Sequence, residues 1–271
     1  MKNNQHLIDY YSNYDEDGRL LSRHNSVEFL TTMRYIEKYL KPGDRILEIG
    51  AATGRYSHTI ARKGYCVDAV ELVEHNIEIF RKNTEPDEKV TITQANAMDL
   101  SGFTDNTYDI TLILGPLYHL YNKQDKQKAL GEAIRVTKPG GIIYAAHIIS
   151  DSCIMHTGFM TNRIDVADYI KKGHIDPETF EASSGPELIF EIVRKEHVDD
   201  LISTLPVSRL HYVAVDGYAG YVESMREALE KMEEEQFKLY LQYHFATCER
   251  EDLLGVTTHS LDVLRKNRED K

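Results

Sequence analysis

Apolar and polar positions alternate in blocks along the first half of the chain. Short runs rich in Val, Ile and Leu begin at residues 45, 65, 90, 108 and 142, and polar stretches with helical spacing separate most of them. A continuous apolar run indicates a strand buried on both faces, as in a parallel sheet, because a half-exposed strand would alternate. Strands that alternate with helices predict an α/β fold.

The helical blocks have recognisable ends. Residues 26–40 carry apolar side chains at helical spacing, with Ser26 as the expected N-cap and Pro42-Gly43 as the stop. Further helices are predicted over 129–136, 196–205 and 218–249, and further strands over 209–215 and 258–265.

The first apolar run opens into a turn of small residues. Glu48 stands near the end of the run, and Gly50, Ala51, Ala52 and Gly54 follow it. Glycine allows positive φ angles and a close approach of a ligand to the backbone, and the next helix start offers N–H groups. Such a loop seats a nucleotide-like ligand, although many α/β proteins keep a glycine turn there for packing alone.

Two acidic positions further along favour the ligand-binding interpretation. Glu71 ends the second run, about 20 residues beyond the turn, where a carboxylate can accept hydrogen bonds from both hydroxyls of a ribose. Asp99 follows the third run and is expected to accept from the exocyclic amine of adenine, with Ala97 or Met98 packing on the ring. A solvated carboxylate at a strand end is the structural alternative for Glu71.

The order of these motifs resembles the class I S-adenosylmethionine-dependent methyltransferases. The resemblance covers residues 27–149 and extends to the apolar strand that ends at Leu114-Gly115 and to the turn Pro139-Gly140-Gly141. The chain departs from the family pattern in two places: Glu48 stands where Asp is commoner, and Ala52 replaces the usual middle glycine.

The resemblance implies a Rossmann-like, doubly wound α/β fold, with a mostly parallel seven-stranded sheet, an antiparallel last strand and helical cap insertions. It also implies S-adenosyl-L-methionine as cofactor and S-adenosyl-L-homocysteine as product. The cofactor-binding residues it implies are Glu48, Gly50, Ala51, Ala52, Gly54, Glu71, Leu72, Ala97, Met98, Asp99, Leu114 and Gly115.

The expected activity is methyl transfer by direct displacement to a small-molecule acceptor. A macromolecular methyltransferase acting on protein or RNA, and a protein of the same fold that binds the cofactor without catalysis, are the alternatives. A nicotinamide dehydrogenase is disfavoured, because its fingerprint needs glycine at the third and sixth turn positions, where this chain has Ala52 and Arg55.

Tyr118 and His119 are the catalytic candidates. They follow the fourth strand, and open α/β sheets bind ligands beyond the carboxyl ends of their strands. A packing or orienting role is the alternative for His119, and a buried core histidine is the expected state of His147. His244 and Cys248 lie four apart on a predicted helix, but without further ligands they predict no metal site.

Charge and cysteine content narrow the choice of partners. The 271-residue chain has 32 Lys and Arg against 44 Asp and Glu, a net charge of −12, which disfavours nucleic acid and anionic lipid. Its three cysteines share no metal-binding spacing, and no apolar run is long enough to span a membrane. We therefore expect a cytoplasmic protein, either a monomer or a homodimer.

Two late insertions extend the plain fold. Residues 1–25 are expected to form a cover segment, and 26–271 the methyltransferase domain, with insertions at about 150–187 and 217–256. Together with the N-terminal segment, which is rich in tyrosine (Tyr10, Tyr11 and Tyr14), the aromatic and methionine side chains of the insertions are predicted to close over the acceptor. The alternative for the insertions is packing on each other or a dimer interface, and the alternative for the N-terminal segment is a surface helix that covers an apolar sheet edge. The insertion side chains are Met155, Phe159, Met160, Tyr218, Tyr221, Met225, Tyr240 and Tyr243.

Overall fold

The apolar runs form one sheet in a computed structural model, which describes residues 4–14, 18 and 22–268. Across these residues the sheet has seven strands: β1 Arg45–Ile49, β2 Cys66–Glu71, β3 Val90–Gln94, β4 Tyr108–Ile113, β5 Thr137–Ile148, β6 Val207–Ala214 and β7 His259–Lys266. Their order is β3-β2-β1-β4-β5-β7-β6, and β7 alone runs antiparallel to its neighbours. This confirms the predicted mostly parallel, Rossmann-like sheet with an antiparallel last strand.

Helices lie between and beyond the strands. In chain order the described α-helices are α1 Gln5–Tyr11, α2 Arg23–Tyr39, α3 Arg55–Arg62, α4 Glu74–Asn83, α5 Lys123–Val136, α6 Ser150–Ile154, α7 Val166–Lys171, α8 Lys195–Ser203, α9 Tyr218–Tyr221, α10 Glu223–Lys231 and α11 Glu234–Thr247. Short 3₁₀ turns cover Pro116–His119, Pro186–Leu188 and Glu251–Leu253, and a π-helix covers Met155–Met160. No helix in the described part is both long and apolar enough to cross a membrane.

The sheet separates two apolar cores. Successive residues of a strand point to opposite faces, so Leu47 and Ile49 join one core while Ile46 joins the other. Tyr144 of β5 is fully buried in the second core, and its hydroxyl donates to the carbonyl oxygen of Tyr35 in α2 at 2.7 Å. This hydrogen bond ties α2 to the sheet beneath it.

Several element boundaries differ from prediction. Helix α2 begins at Arg23, with Ser22 at the N-cap position, so Ser26 lies inside the helix, where its hydroxyl donates to the Arg23 carbonyl oxygen. The predicted helix over 218–249 is three helices, since Val222 and Glu233 adopt extended conformations. Strand β5 begins before the Pro139-Gly140-Gly141 turn, where its pairing with β4 is irregular.

The insertions are built from short helices that contact each other. His156 of the first pairs through Nδ1 with the carbonyl oxygen of Tyr221 in the second, at 2.8 Å. Leu229 and Phe237 of the second pack on Val27 of α2. The acidic residues 15–17 of the predicted cover segment lie outside the described residues.

Two glycines that flank α3 allow a matched stability test. Gly54 has φ 93°, and a Cβ there would lie 2.5 Å from ring atoms of His58 and Phe80. Gly64 has φ 94°, with nothing within 4 Å of the same position. Gly64→Ala therefore measures backbone strain alone, at about 1–2 kcal/mol, whereas Gly54→Ala adds overpacking of about 1–3 kcal/mol. If denaturant unfolding showed that both variants lose the same free energy of unfolding, the close packing at Gly54 would be contradicted.

Candidate active site

One cavity lies at the carboxyl ends of β1, β2 and β4, where the strand order reverses between β1 and β4. Ligands of open α/β sheets bind at such a switch point. The loops after these strands form its floor, and residues of α1, α2 and α3 form its remaining walls. Its lining consists of Asn4, Leu7, Tyr11, Glu28, Glu48, Gly50, Ala51, Ala52, Thr53, Arg55, Tyr56, Val70, Glu71, Leu72, Val73, Asn76, Ala95, Asn96, Ala97, Met98, Leu114, Gly115, Pro116, Tyr118, His119 and Leu120.

The turn after β1 is bound to the end of β2. The backbone N–H groups of Gly50 and Ala51 both donate to the Val70 carbonyl oxygen, at 2.7 and 2.9 Å. Ala52 has φ 48°, a conformation rare for a residue with a side chain, and its N–H donates to Glu71 Oε2 at 2.8 Å. The turn thus presents its backbone to the cavity in a fixed shape.

The Glu71 carboxylate is buried and already bound on both oxygens. Its second oxygen, Oε1, accepts from the Val73 N–H at 2.9 Å. The side chain of Asn76 also makes a hydrogen bond to the carboxylate. Burial raises the pKa of Glu71 despite these hydrogen bonds. The backbone of Leu72 is a further hydrogen-bond donor to Glu71. Because the carboxylate lines the cavity, a ligand hydroxyl can donate to it by sharing an acceptor position with a protein donor or replacing that donor.

Glu48 is the second buried acid of the cavity. It is 2% exposed, and the Ser57 hydroxyl donates to it. Burial, together with the nearby Glu71 charge, raises the pKa of Glu48 to about 8. An uncompensated carboxylate here fits a ligand that brings a positive charge.

The cavity matches the parts of S-adenosylmethionine that the resemblance implies. Asn76 Oδ1 is buried without a hydrogen-bond partner among the described residues, and it can accept from a ligand hydroxyl or amine. Leu72, Ala97 and Met98 provide apolar surface for a base. Glu48 can pair with the ammonium group by giving up the proton that burial makes it keep in the ligand-free protein. The residues present therefore fit this cofactor.

Ten of the twelve predicted cofactor-binding residues line the cavity, and Gly54 and Asp99 do not. Gly54 lies behind the turn against His58 and Phe80. Asp99 is exposed, and its Oδ1 accepts from the Ser101 N–H at 3.2 Å. The polar side chain that lines the cavity in this segment belongs to Asn96, three residues earlier.

Tyr118 and His119 line the cavity beside helix α1. His119 Nδ1 lies 3.0 Å from the carbonyl oxygen of Ile189, and its Nε2 lies 2.8 Å from the Tyr11 hydroxyl. Because a carbonyl only accepts, Nδ1 carries the ring proton and Nε2 accepts the hydrogen of Tyr11. Burial lowers the pKa of His119 to about 4, so the imidazole is neutral at physiological pH.

The loop around Ile189 completes this wall. Ile189 has φ 63°, and its carbonyl oxygen also accepts from the Tyr121 hydroxyl at 2.8 Å. The next residue, Phe190, packs on the rings of Tyr10, Tyr118 and His119. Helix α1, the segment after β4 and this loop therefore meet around His119.

Other lining residues had no clear sequence signal. Glu28 occupies a polar helix position, and only the folded chain brings its carboxylate 3.8 Å from His259 Nδ1. His259 Nδ1 lies 3.0 Å from the buried Asp216. Burial opposes ionisation of Asp216, but hydrogen bonds from His259, Thr257 and Thr258 prevail and lower its pKa.

None of the eight insertion side chains predicted to surround the acceptor lines this cavity. Tyr218, Met225, Tyr240 and Tyr243 line a separate surface groove, and Phe159 is 60% exposed. His147 is buried beside Asp262, but its Nε2 has no hydrogen-bond partner among the described residues, in contrast to the satisfied core histidine that was expected. No group of three potential metal ligands occurs in the described part of the chain.

A family model described as "Methyltransferase domain" matches residues 47–145, the segment that contains the turn, both buried acids and β4. Residues 47–145 form a methyltransferase domain, on a fold of the class I, Rossmann-like type. A solved S-adenosylmethionine-dependent methyltransferase from Methanosarcina mazei has the same fold, with TM-score 0.56 and 19% identity, over 87% of this chain and 98% of that one.

Curated relatives match about half of the chain. A demethylmenaquinone methyltransferase of Clavibacter sepedonicus is 35% identical over 134 residues, which is 49% of this chain and 52% of that protein. A ubiquinone biosynthesis O-methyltransferase of Methylocella silvestris is 33% identical over 132 residues, 47% of this chain and 48% of that protein. The chain therefore spans about half the length of these relatives.

The buried Glu48 makes stability of the ligand-free protein depend on pH. Its pKa is about 8 when folded, against an ordinary 4.5, so the folded state keeps a proton that the unfolded chain releases. Stability therefore falls as pH rises between these values. Glu48→Gln should raise the melting temperature by roughly 4 °C or more at about pH 8.5, and by less at about pH 5. The exposed Glu74→Gln is the control, and a gain independent of pH would contradict the assignment.

Proposed function

We propose that this protein transfers a methyl group from S-adenosylmethionine to a small-molecule acceptor. The observation that carries the proposal is one continuous cavity. One part of it presents the turn with Glu48 and Glu71, and another presents Tyr11, Tyr118 and His119. The names of the two quinone-pathway relatives support a small organic acceptor.

The bound cofactor would supply an activated methyl group on a positively charged sulfur. The chain then has to position both partners and exclude water, which accounts for much of the rate enhancement in such a displacement. In the proposed arrangement Glu71 binds the ribose, Glu48 the ammonium group, and Ala97 and Met98 the base. Asn96 takes the polar contact to adenine that the sequence had suggested for Asp99.

The position of α1 favours a small acceptor over a macromolecule. Leu7 of this helix is 7% exposed and lines the cavity, and Tyr11 reaches His119 across it. A protein or RNA substrate would have to displace the helix. A protein that binds the cofactor without catalysis remains an outcome of the following test.

Calorimetry should show micromolar-range binding of S-adenosylhomocysteine, and tritium from labelled S-adenosylmethionine should enter small acceptors. Suitable probes are 1,4-naphthohydroquinone, catechol, benzenethiol and histamine. Binding without transfer to these probes or to a small-molecule extract would favour the non-catalytic alternative. Absence of both heat and thermal shift with either ligand at millimolar concentration would refute the proposal.

Removing the Glu71 carboxylate should weaken cofactor binding. We expect Glu71→Ala to reduce the affinity for S-adenosylhomocysteine by roughly 2–3 kcal/mol, because charge-assisted hydrogen bonds are lost. The exposed Glu74→Ala, outside the cavity, should bind normally. Since Glu71 also holds Ala52, adenosine and 2′,3′-dideoxyadenosine separate the two effects. The wild-type protein should bind adenosine more tightly than 2′,3′-dideoxyadenosine, and Glu71→Ala should bind both equally. If Glu71→Ala still preferred adenosine, the ribose hydroxyls would bind elsewhere.

A further inference from the structure

Tyr11 and His119 form a directed hydrogen-bond chain on the wall of the cavity. The chain starts at the Ile189 carbonyl oxygen, which accepts from His119 Nδ1 at 3.0 Å. It continues from His119 Nε2 to the Tyr11 hydroxyl at 2.8 Å. Because His119 Nδ1 is a donor, its Nε2 is an acceptor, and the phenolic hydrogen of Tyr11 points at the ring.

We propose that Tyr11 is a catalytic residue which removes the proton of an acceptor hydroxyl, and that His119 receives the phenolic proton of Tyr11 in the same step. The inference rests on the proposed methyl transfer and adds the acceptor class, a small molecule with a neutral hydroxyl group. A phenolic oxygen has two acceptor lone pairs, so Tyr11 can accept from a ligand while it donates to His119. Both side chains line the cavity.

The proton and electron balance is complete within this arrangement. The acceptor oxygen keeps the electron pair of its O–H bond and forms the new bond to the methyl carbon, while the pair of the broken methyl–sulfur bond stays on sulfur. The acceptor proton moves to Tyr11, and the former Tyr11 proton moves to His119 Nε2. The resulting imidazolium is stabilised by the Ile189 carbonyl and later gives a proton to water.

A weakly basic imidazole is sufficient for this role. Burial lowers the pKa of His119 to about 4, which keeps Nε2 unprotonated and able to accept. A hydroxyl that gains a methyl group before losing its proton becomes a protonated ether, a much stronger acid than imidazolium. The proton therefore moves downhill late in the displacement, without prior ionisation of the acceptor.

The surroundings of His119 contain few titratable groups. From α1 they are His6, Tyr10 and Tyr11; His6 contributes to the lowered pKa. From the segment after β4 they are Tyr118 and Tyr121, which shares the Ile189 carbonyl with His119. Phe190 supplies an apolar face. No carboxylate among the described residues forms an ion pair with His119, so the neutral tautomer is set by the carbonyl.

The first test needs neither cofactor nor acceptor. Nitrogen NMR of the histidines should identify His119 as neutral at pH 7, with the proton on Nδ1. Tyr11→Phe should shift the Nε2 resonance and leave Nδ1 nearly unchanged, whereas Tyr10→Phe, which keeps its ring on Phe190, should change neither. A proton on Nε2, or a cationic His119 at pH 7, overturns the relay.

The second test compares acceptors that do and do not need proton removal. Catechol is a neutral hydroxyl probe, and benzenethiol ionises readily near neutral pH. Tyr11→Phe should lower kcat with catechol by about 100-fold or more, the usual scale for proton transfer by a positioned group. KM and S-adenosylhomocysteine affinity should change less than about threefold, and benzenethiol turnover should stay close to wild type. If Tyr11→Phe lowers kcat equally with catechol and with benzenethiol, Tyr11 has only a structural role. If the wild-type protein methylates benzenethiol but not catechol, the proposed acceptor class is wrong.

His119 variants test whether the two residues act together. His119→Asn retains an amide donor for the Ile189 carbonyl but cannot receive the proton, so it should lose as much kcat with catechol as Tyr11→Phe. The double variant should lose no more than either alone, because both changes break one relay. Additive losses would contradict the inference. If the wild-type protein did not bind S-adenosylhomocysteine at all, the proposed function itself would be refuted.

Discussion

The Glu71 carboxylate holds the binding turn to the sheet. One oxygen accepts from Ala52 in the turn after β1, and the other accepts from Val73 at the start of α4. Two loops from neighbouring strands are thus fixed around a single buried acid. The same oxygens face the cavity, so the group that shapes the turn also presents acceptor sites to a ligand. Burying this acid at the carboxyl end of β2 costs stability, and four protein hydrogen bonds, from Val73, Ala52, Leu72 and the Asn76 side chain, offset part of that cost.

Much of the fold could be predicted from the sequence because burial on both faces of a parallel sheet leaves a strong pattern. The runs at β1, β2 and β4 are mostly apolar, and each was placed within a residue or two. Helix ends were harder. Ser26 is a residue type that is common at N-caps, but the residues before it also form helix. Ser22 therefore occupies the N-cap position. The breaks at Val222 and Glu233 carry neither Gly nor Pro and depend on packing against α2.

The site was predictable where it follows a strand end and unpredictable where it depends on tertiary contacts. Glu48, Glu71 and the small-residue turn were identified because their spacing is local. Asp99 was chosen because a carboxylate can accept from an amine, but the turn after β3 leaves Asp99 exposed, where it accepts from the Ser101 N–H. Tyr11 belongs to the Tyr-rich N-terminal segment that was expected to cover the site, but its contact with His119 depends on the folded chain. Glu28 approaches the cavity from a helix far away in sequence, and no local pattern marks it. The exposed aromatic residues of the insertions suggested a pocket because composition alone does not distinguish a pocket wall from an outer surface.

The turn at Ile189 couples the tautomer of His119 to the backbone conformation of Ile189. The Phe190 N–H donates to the Leu188 carbonyl at 2.7 Å, which closes a tight three-residue turn with a β-branched side chain at positive φ. Such turns are strained by about 1–3 kcal/mol, and hydrogen bonds from Tyr121 and His119 to the Ile189 carbonyl oppose its relaxation. The tautomer of His119 is therefore encoded in the conformation of a loop 70 positions away. A loop of another conformation here would leave the position of the His119 ring proton unfixed, with no change in any side chain of the cavity.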